Sequence, residues 1–317
     1  MKNHLILNIA GPLQGVSVLL LMIILLGILF PMSFLTTVNW TNLLRQLFPS
    51  FIIAAGMSIL IISGEFDISV GSVMGLSGIV CVKLIEYSGI LVGIVGGLLT
   101  GLIFGIFNGT MVTKVKIPSF ICTLGTMMLG RSLGLVITKQ QTLSNFPESF
   151  KWIGQSNFIQ IPTPFWFVII IYAACFLVMK LTKFGPHVYA TGGDYEAAKL
   201  AGVNVDMVKF KCFIITGVFS AIAGILLASR LGALGSFTGR GLEFAVISAV
   251  IISGISLYGG DGNILQSIIG VLIVGLIRNG LNMSQIDIKW QDAMTGIVII
   301  AAVALDMTRR RFLVKSD

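Results

Sequence analysis

The sequence predicts an all-α, polytopic integral membrane protein of about ten transmembrane helices with both termini cytoplasmic. Three observations carry that prediction. Of 317 residues, 56% are hydrophobic and only 11% charged, against about 25% charged in a typical soluble protein, which leaves too little polar surface for a water-soluble globule. Charged residues are absent from long runs: Leu5–Leu44, Gln46–Gly64, Tyr87–Thr113 and Trp152–Met179. Apolar stretches such as Gly15–Phe30, GVSVLLLMIILLGILF, lack the strict alternation of a membrane β-barrel strand, so each span is a helix, which needs about 20 apolar residues at 1.5 Å rise.

Ten spans follow in order: 13–33, 43–63, 68–86, 90–112, 117–138, 164–182, 208–230, 242–258, 264–282 and 291–308. The first follows Lys2 and His4, but its apolar run is longer than a signal-peptide core and no small-x-small site follows, so it reads as an uncleaved span. The second and third flank a polar, glycine-containing segment around Asp67. The fourth and sixth occupy the charge-free runs Tyr87–Thr113 and Trp152–Met179, and the fifth carries Arg131. Charge-free runs Cys212–Ser229, Phe244–Gly260 and Gly262–Ile277 define the seventh, eighth and ninth, while Asp292 opens the tenth. Gly and Ser throughout the third and ninth permit close helix packing in lipid. The whole chain, 1–317, reads as a single membrane domain.

Basic residues set the orientation. The side holding both ends and the even-numbered connections collects 12 of the 21, among them Lys114, Lys116, Lys180, Lys183, Lys199, Lys209 and Arg309–Arg311. The positive-inside rule makes that side cytoplasmic. The net charge of +8 is accounted for by topology and lipid headgroups, without nucleic acid.

Catalytic signatures are missing. No G-x-x-x-x-G-K-[ST], HExxH or CxxC occurs, and the one G-x-S-x-G match, Gly130–Gly134, lies inside a predicted span rather than on a strand-to-helix turn. Cys81, Cys122, Cys175 and Cys212 are scattered through apolar segments and read as small buried hydrophobes; with His4 and His187 they make no metal cluster. Among charges near spans, Arg131, Arg278 and Asp292 read as interfacial anchors or ion-pair partners rather than as a proton relay.

The most informative connection is cytoplasmic and runs from about 183 to 207. Asp194 suits a helix N-cap, Tyr195–Ala201 two helical turns, and Gly202 the C′ position. Glu196 in the first turn favours the positive end of the helix dipole, and Ala197 and Ala198 permit close approach by another protein. Such a short capped helix is either a surface for a partner or a solvated connector. The segment Gly64–Ser72 gathers Asp67, Ser69 and Ser72 among Gly64, Gly71 and Gly75. Its two readings are a turn in which Asp67 caps the next helix and a polar lining of a cytoplasmic gate. Ile61-Ile-Ser-Gly64 recurs as Ile251-Ile-Ser-Gly254 six spans later, the spacing a parallel internal repeat requires.

These segments carry a resemblance. Glu196-Ala-Ala-Lys-Leu-Ala-Gly202 is similar to the E-A-A-x-x-x-G pattern of ABC-importer permeases, in which that helix couples to the ATPase subunit. Gly64-Glu-Phe-Asp67-Ile-Ser69-Val-Gly71-Ser72 resembles the G-G-I-D-L-S-V-G-S motif of the ribose-type, or simple sugar, permease family. Ile117-Pro-Ser-Phe-Ile-Cys-Thr-Leu-Gly-Thr-Met, Gly254–Gly262 and Asn279-Gly-Leu-Asn282 resemble further segments of that family, in order over roughly residues 45 to 310. The sequence departs from it at Glu65, where the family usually has Gly, and at Phe66, Pro186 and Ala245.

The resemblance implies the permease subunit of an ATP-driven importer for a small sugar or sugar-like solute, itself not an enzyme. It implies a bacterial inner-membrane location and a second permease subunit, alike or homologous. It also implies an ATPase subunit that carries ATP and Mg, and a solute-binding protein outside, with no cofactor on this chain. Asp194, Glu196, Ala197, Ala198 and Gly202 form the expected coupling helix, and Gly64, Asp67, Ser69, Gly71 and Ser72 the expected gate motif. Asn108, Thr123, Thr126, Asn279 and Asn282 are candidate pathway residues or interhelical hydrogen-bond partners. Other cargoes stay open at this stage: autoinducer-2, a nucleoside or a branched-chain amino acid. An ion-coupled carrier working alone is the rival mechanism.

Overall fold

The computed structural model describes residues 2–287 and positions 290, 293, 294, 296 and 297, with side-chain surroundings from residue 15 onward. The predicted tenth span, with Asp292, and the tail Arg309–Arg311 lie outside the described residues, apart from a few positions of the span. In chain order the elements are α1 (Lys2–Leu29), α2 (Pro31–Phe34), α3 (Thr37–Ile62), α4 (Val70–Ser88), α5 (Ile90–Thr113), α6 (Ser119–Thr138) and α7 (Glu148–Gln155). A two-residue hairpin, β1 (Asn157–Phe158) and β2 (Ile161–Pro162), is followed by α8 (Thr163–Leu181), α9 (Phe184–Gly193) and α10 (Tyr195–Leu200). The order ends with α11 (Val205–Leu231), α12 (Leu242–Ile252) and α13 (Gln266–Met283).

Seven of these, α3, α4, α5, α6, α8, α11 and α13, are long and apolar enough to cross a membrane, and two shorter apolar helices, Gly15–Leu29 and α12, accompany them. The first nine predicted spans therefore fall on helices, with two boundary corrections. The first is interrupted at Phe30, whose backbone leaves the helical region because the ring of Pro31 disfavours helix at the preceding residue. The eighth stops at Ile252 rather than 258. Ser253 Oγ donates to the Val250 carbonyl at 2.7 Å, and Gly254 turns to φ +96°, so the backbone cannot continue as helix. Ile61–Gly64 ends α3 in the same way: Ser63 Oγ donates to the Leu60 carbonyl at 2.7 Å and Gly64 has φ +85°.

The bundle centres on α3, buried on all sides along its inner half from Phe51 to Ile62. Lipid offers no hydrophobic drive between helices, so backbone proximity must hold them together. Helix α5 supplies it with glycine at every fourth position: Gly93, Gly97, Gly101, Gly105 and Gly109 lie on one buried edge. That edge meets α11, where a Cβ on Gly101 would overlap the Gly217 carbonyl and a Cβ on Gly217 the Gly101 carbonyl.

With only 11 residues, α12 extends about 16 Å, roughly half the hydrocarbon thickness. The segment before it dips into the bundle. Ser236 Oγ lies 2.7 Å from Thr138 Oγ1 at the C-terminal end of α6, and Gly71 and Gly75 of α4 then admit the backbone of Gly239 and Thr238, which any Cβ there would strike. Glu243 follows, and pairs with Arg131 seven residues below Thr138, about 10 Å along the α6 axis.

Candidate coupling surface and gate turn

The connection between α8 and α11 contains two helices where the sequence predicts one. Gly185 and Pro186 both sit in the first turn of α9, where a missing N–H costs nothing. Gly185 is required there, because a Cβ would overlap the Met179 carbonyl. At the other end of α9, Gly192 is wedged between the Ile62 carbonyl and the Gly260 amide, which bond to each other at 2.9 Å. Three pieces of backbone thus meet: the end of α3, the end of α9 and the loop after α12.

Helix α10 follows at once. The Asp194 carboxylate accepts from the Ala197 amide at 2.9 Å, and the helix ends in a Schellman motif. Gly202 N–H donates to the Lys199 carbonyl and Val203 N–H to the Ala198 carbonyl, both at 3.0 Å, with Gly202 at φ +82°. Ala198 turns inward and is buried, whereas Glu196, Ala197, Lys199 and Gly202 are exposed and Leu200 is 88% exposed. Asn204 then caps α11 by accepting from the Met207 amide at 3.0 Å.

Side chains tie this surface to the rest of the same end of the bundle. The Tyr195 ring lies between Lys199 Nζ at 6.0 Å and Lys209 Nζ at 5.8 Å, within cation–π range. Lys209 also donates to Glu65 Oε1 at 2.6 Å, both side chains being mostly buried. Lys116, between α5 and α6, donates to both Asp206 carboxylate oxygens at 2.7 and 2.8 Å, and that hydrogen bond raises its pKa. Glu65, Lys116, Tyr195, Asp206 and Lys209 line a cleft of about 260 Å³.

The turn after α3 has its own network. Asp67 Oδ1 accepts from the Ser69 amide at 2.7 Å and from Ser69 Oγ at 2.6 Å, an Asx turn that aims the chain into α4. Its other oxygen accepts from Asn108 Nδ2 at 3.2 Å, and Asn108 also donates to Ser69 Oγ at 3.1 Å. Ser72 Oγ closes the turn on the Ser69 carbonyl at 2.7 Å. Burial pushes the Asp67 carboxyl above its ordinary range, while the hydrogen bonds from Ser69 and Asn108 pull it back.

The candidate pathway residues occupy separate places. Asn108 is fully buried within the Asp67 network. Thr123 and Thr126 are buried on α6, bonded to the Ser119 and Thr123 carbonyls. Asn279 donates to Asn39 Oδ1 at 2.8 Å, joining α13 to α3, and Asn282 is exposed near the end of α13. Arg131 makes an ion pair, Nη2 to Glu243 Oε1 at 2.5 Å. Sequence reasoning missed Glu243, Glu65, Lys209 and Tyr195. For Glu243 a signal existed, an acid in the first turn of a predicted span.

A bundle of apolar spans with a short capped helix exposed at one end is the architecture of a multi-pass membrane protein. The chain belongs to the family described as branched-chain amino acid transport system / permease component, whose profile matches residues 39–303. It is similar to the ribose import permease protein of Bacillus subtilis, 39% identical over 93% of this chain and 92% of the relative. The L-arabinose transport system permease protein of Escherichia coli is 36% identical over 94% and 91%, and the D-allose transport system permease protein of Escherichia coli 36% over 91% and 89%. No solved structure matches. The protein is a multi-pass protein of the bacterial inner membrane, and its relatives are transport permeases, not enzymes.

Proposed function

We propose that this chain is the membrane permease subunit of an ABC importer that moves a small sugar or sugar-like solute into the cell. The observation that carries the reading is likeness along nearly the whole chain to permeases named for ribose, L-arabinose and D-allose. The chain acts as one membrane domain of ten spans with both termini in the cytoplasm. ATP and Mg are handled by a separate ATPase subunit, which grips α10 through Glu196, Ala197 and the turn at Gly202. Ala198 holds the helix onto the permease. A solute-binding protein delivers the cargo outside, and two permease subunits enclose the pathway between them. ATP binding moves α10, and the Gly64–Ser72 turn responds as the cytoplasmic gate; no covalent chemistry occurs on this chain.

Branched-chain amino acids are the second cargo class, because the family's own description names them. The test is uptake into proteoliposomes by the chain alone and by the chain with its ATPase and binding protein, using D-ribose, L-arabinose, D-allose and L-leucine. We expect uptake of a sugar, only with both partners and ATP. Uptake by the chain alone, driven by a sodium or proton gradient, would overturn the ABC reading; uptake of leucine but no sugar would overturn the cargo.

A further inference from the structure

We propose that the Glu65–Lys209 ion pair is the side-chain link that carries movement of α10 to the Asp67 turn, a proposal that rests on the importer reading above. Both residues are positioning residues, acting through the groups they hold.

The link is continuous in the structure. Tyr195 is the first residue of α10, and its ring stacks under Lys209 Nζ at 5.8 Å. Lys209 is the fifth residue of α11, and its ammonium reaches Glu65 Oε1 at 2.6 Å across 144 residues of sequence. Glu65 lies in the irregular backbone between α3 and α4, two residues before Asp67. From Asp67 the hydrogen bonds run to Ser69, at the head of α4, and to Asn108 on α5. A displacement of α10 with the base of α11 therefore reaches the turn by a charge pair at close range.

Burial gives the pair its grip. The side chains of Lys209 and Glu65 are only 17% and 15% exposed, so screening by salt is weak and separating them strands a charge. The neighbouring Lys116–Asp206 pair is 57% and 43% exposed, where such a bond constrains little. Glu65 lies outside regular helix: α3 ends at Ile62, Gly64 is at φ +85°, and helix resumes only at Val70.

The experiment compares solute moved per ATP hydrolysed in proteoliposomes holding the full complex of permease, ATPase and binding protein. The solute is whichever of D-ribose, L-arabinose and D-allose the unmodified complex takes up. Glu65→Gln and Lys209→Met are each expected to lower that ratio about tenfold, while recovery of the ATPase with the permease is unchanged. The double variant should be no worse than either single one, since one link is cut twice. Lys209→Arg, which keeps both the charge and the stacking, should retain the ratio. Unchanged ratios in both single variants, additive losses in the double, or a fall in ATPase recovery that matches the fall in uptake would overturn the link. Failure of the unmodified complex to transport any of the three sugars would instead overturn the sugar-importer reading, and the link with it.

Discussion

Burying a carboxylate in an apolar bundle is costly unless a cation or hydrogen bonds compensate, and Glu243, with no exposed surface, has Arg131 at 2.5 Å. Truncating Arg131 to Met leaves that charge stranded. Loss of one partner of a buried pair costs about 3–5 kcal/mol, and because Arg131 is a third exposed the low end applies. We expect Arg131→Met to lower the thermal midpoint of the detergent-solubilised protein, and Arg131→Met with Glu243→Met to recover most of it. A double variant as unstable as the single would show that the pair's geometry, not the stranded charge, is what matters. Asn108→Leu poses the same question of the gate turn. It removes the donor to Asp67 Oδ2 and Ser69 Oγ, and an unsatisfied buried acceptor costs about 1–3 kcal/mol. Faster hydrogen exchange at the Ile68 and Ser69 amides should accompany that loss; unchanged exchange would mean that the Asx turn holds by itself. At this scale the sequence marks polar residues but not their partners. Asp67 and Ser69 are neighbours and their turn is readable, whereas Arg131 and Glu243 stand 112 residues apart and no local pattern joins them.

Helices α10 and α5 make opposite demands on their glycines. At Gly202 a Cβ would meet nothing within 4 Å, and what the position requires is φ +82° with an N–H donated to Lys199. Proline supplies neither, since its φ is fixed near −65° and it has no N–H. Glu196→Lys reverses the sign at the helix N-terminus, an effect of roughly 0.3–1 kcal/mol. Neither change touches a span, so both variants should insert normally yet lose most ATP-driven uptake; normal uptake with both would reduce α10 to a connector. At Gly101 the demand is space. Gly101→Ala places a methyl on the Gly217 carbonyl and should destabilise by about 1–3 kcal/mol, whereas Gly125→Ala on α6, where a Cβ meets nothing within 4 Å, should not. Equal thermal midpoints for the two would contradict the close α5–α11 packing. Elements were legible in proportion to their surroundings. Lipid demands unbroken apolar runs, and those runs mark the long helices directly. Local breaks were harder: the connection before Asp194 carries no span-length apolar run yet forms α9, and Ser253-Gly254 looks apolar enough to continue but ends α12.

For the molecule as a whole, the account requires that α10 and α7 lie on opposite sides of the membrane. A chain entering the membrane at Thr163 leaves it near Leu181, so α7 and the hairpin before α8 are on the other face from α9 and α10. Membrane character and family likeness were readable from composition and motifs. The convergence of Ile62, Gly192 and Gly260 was not, because close backbone contacts between distant glycines leave no trace in one sequence. The central claim is that an ATPase subunit grips the exposed face of α10, where Leu200 is 88% exposed, and not the face carrying α7, where Trp152 is 67% exposed. The direct measurement is photo-crosslinking in intact membranes from a probe at either position, with the captured subunit tested for nucleotide binding. A crosslink to a nucleotide-binding subunit from position 200 and none from 152 is the result predicted; the reverse pattern, or no such subunit captured from position 200, would contradict it.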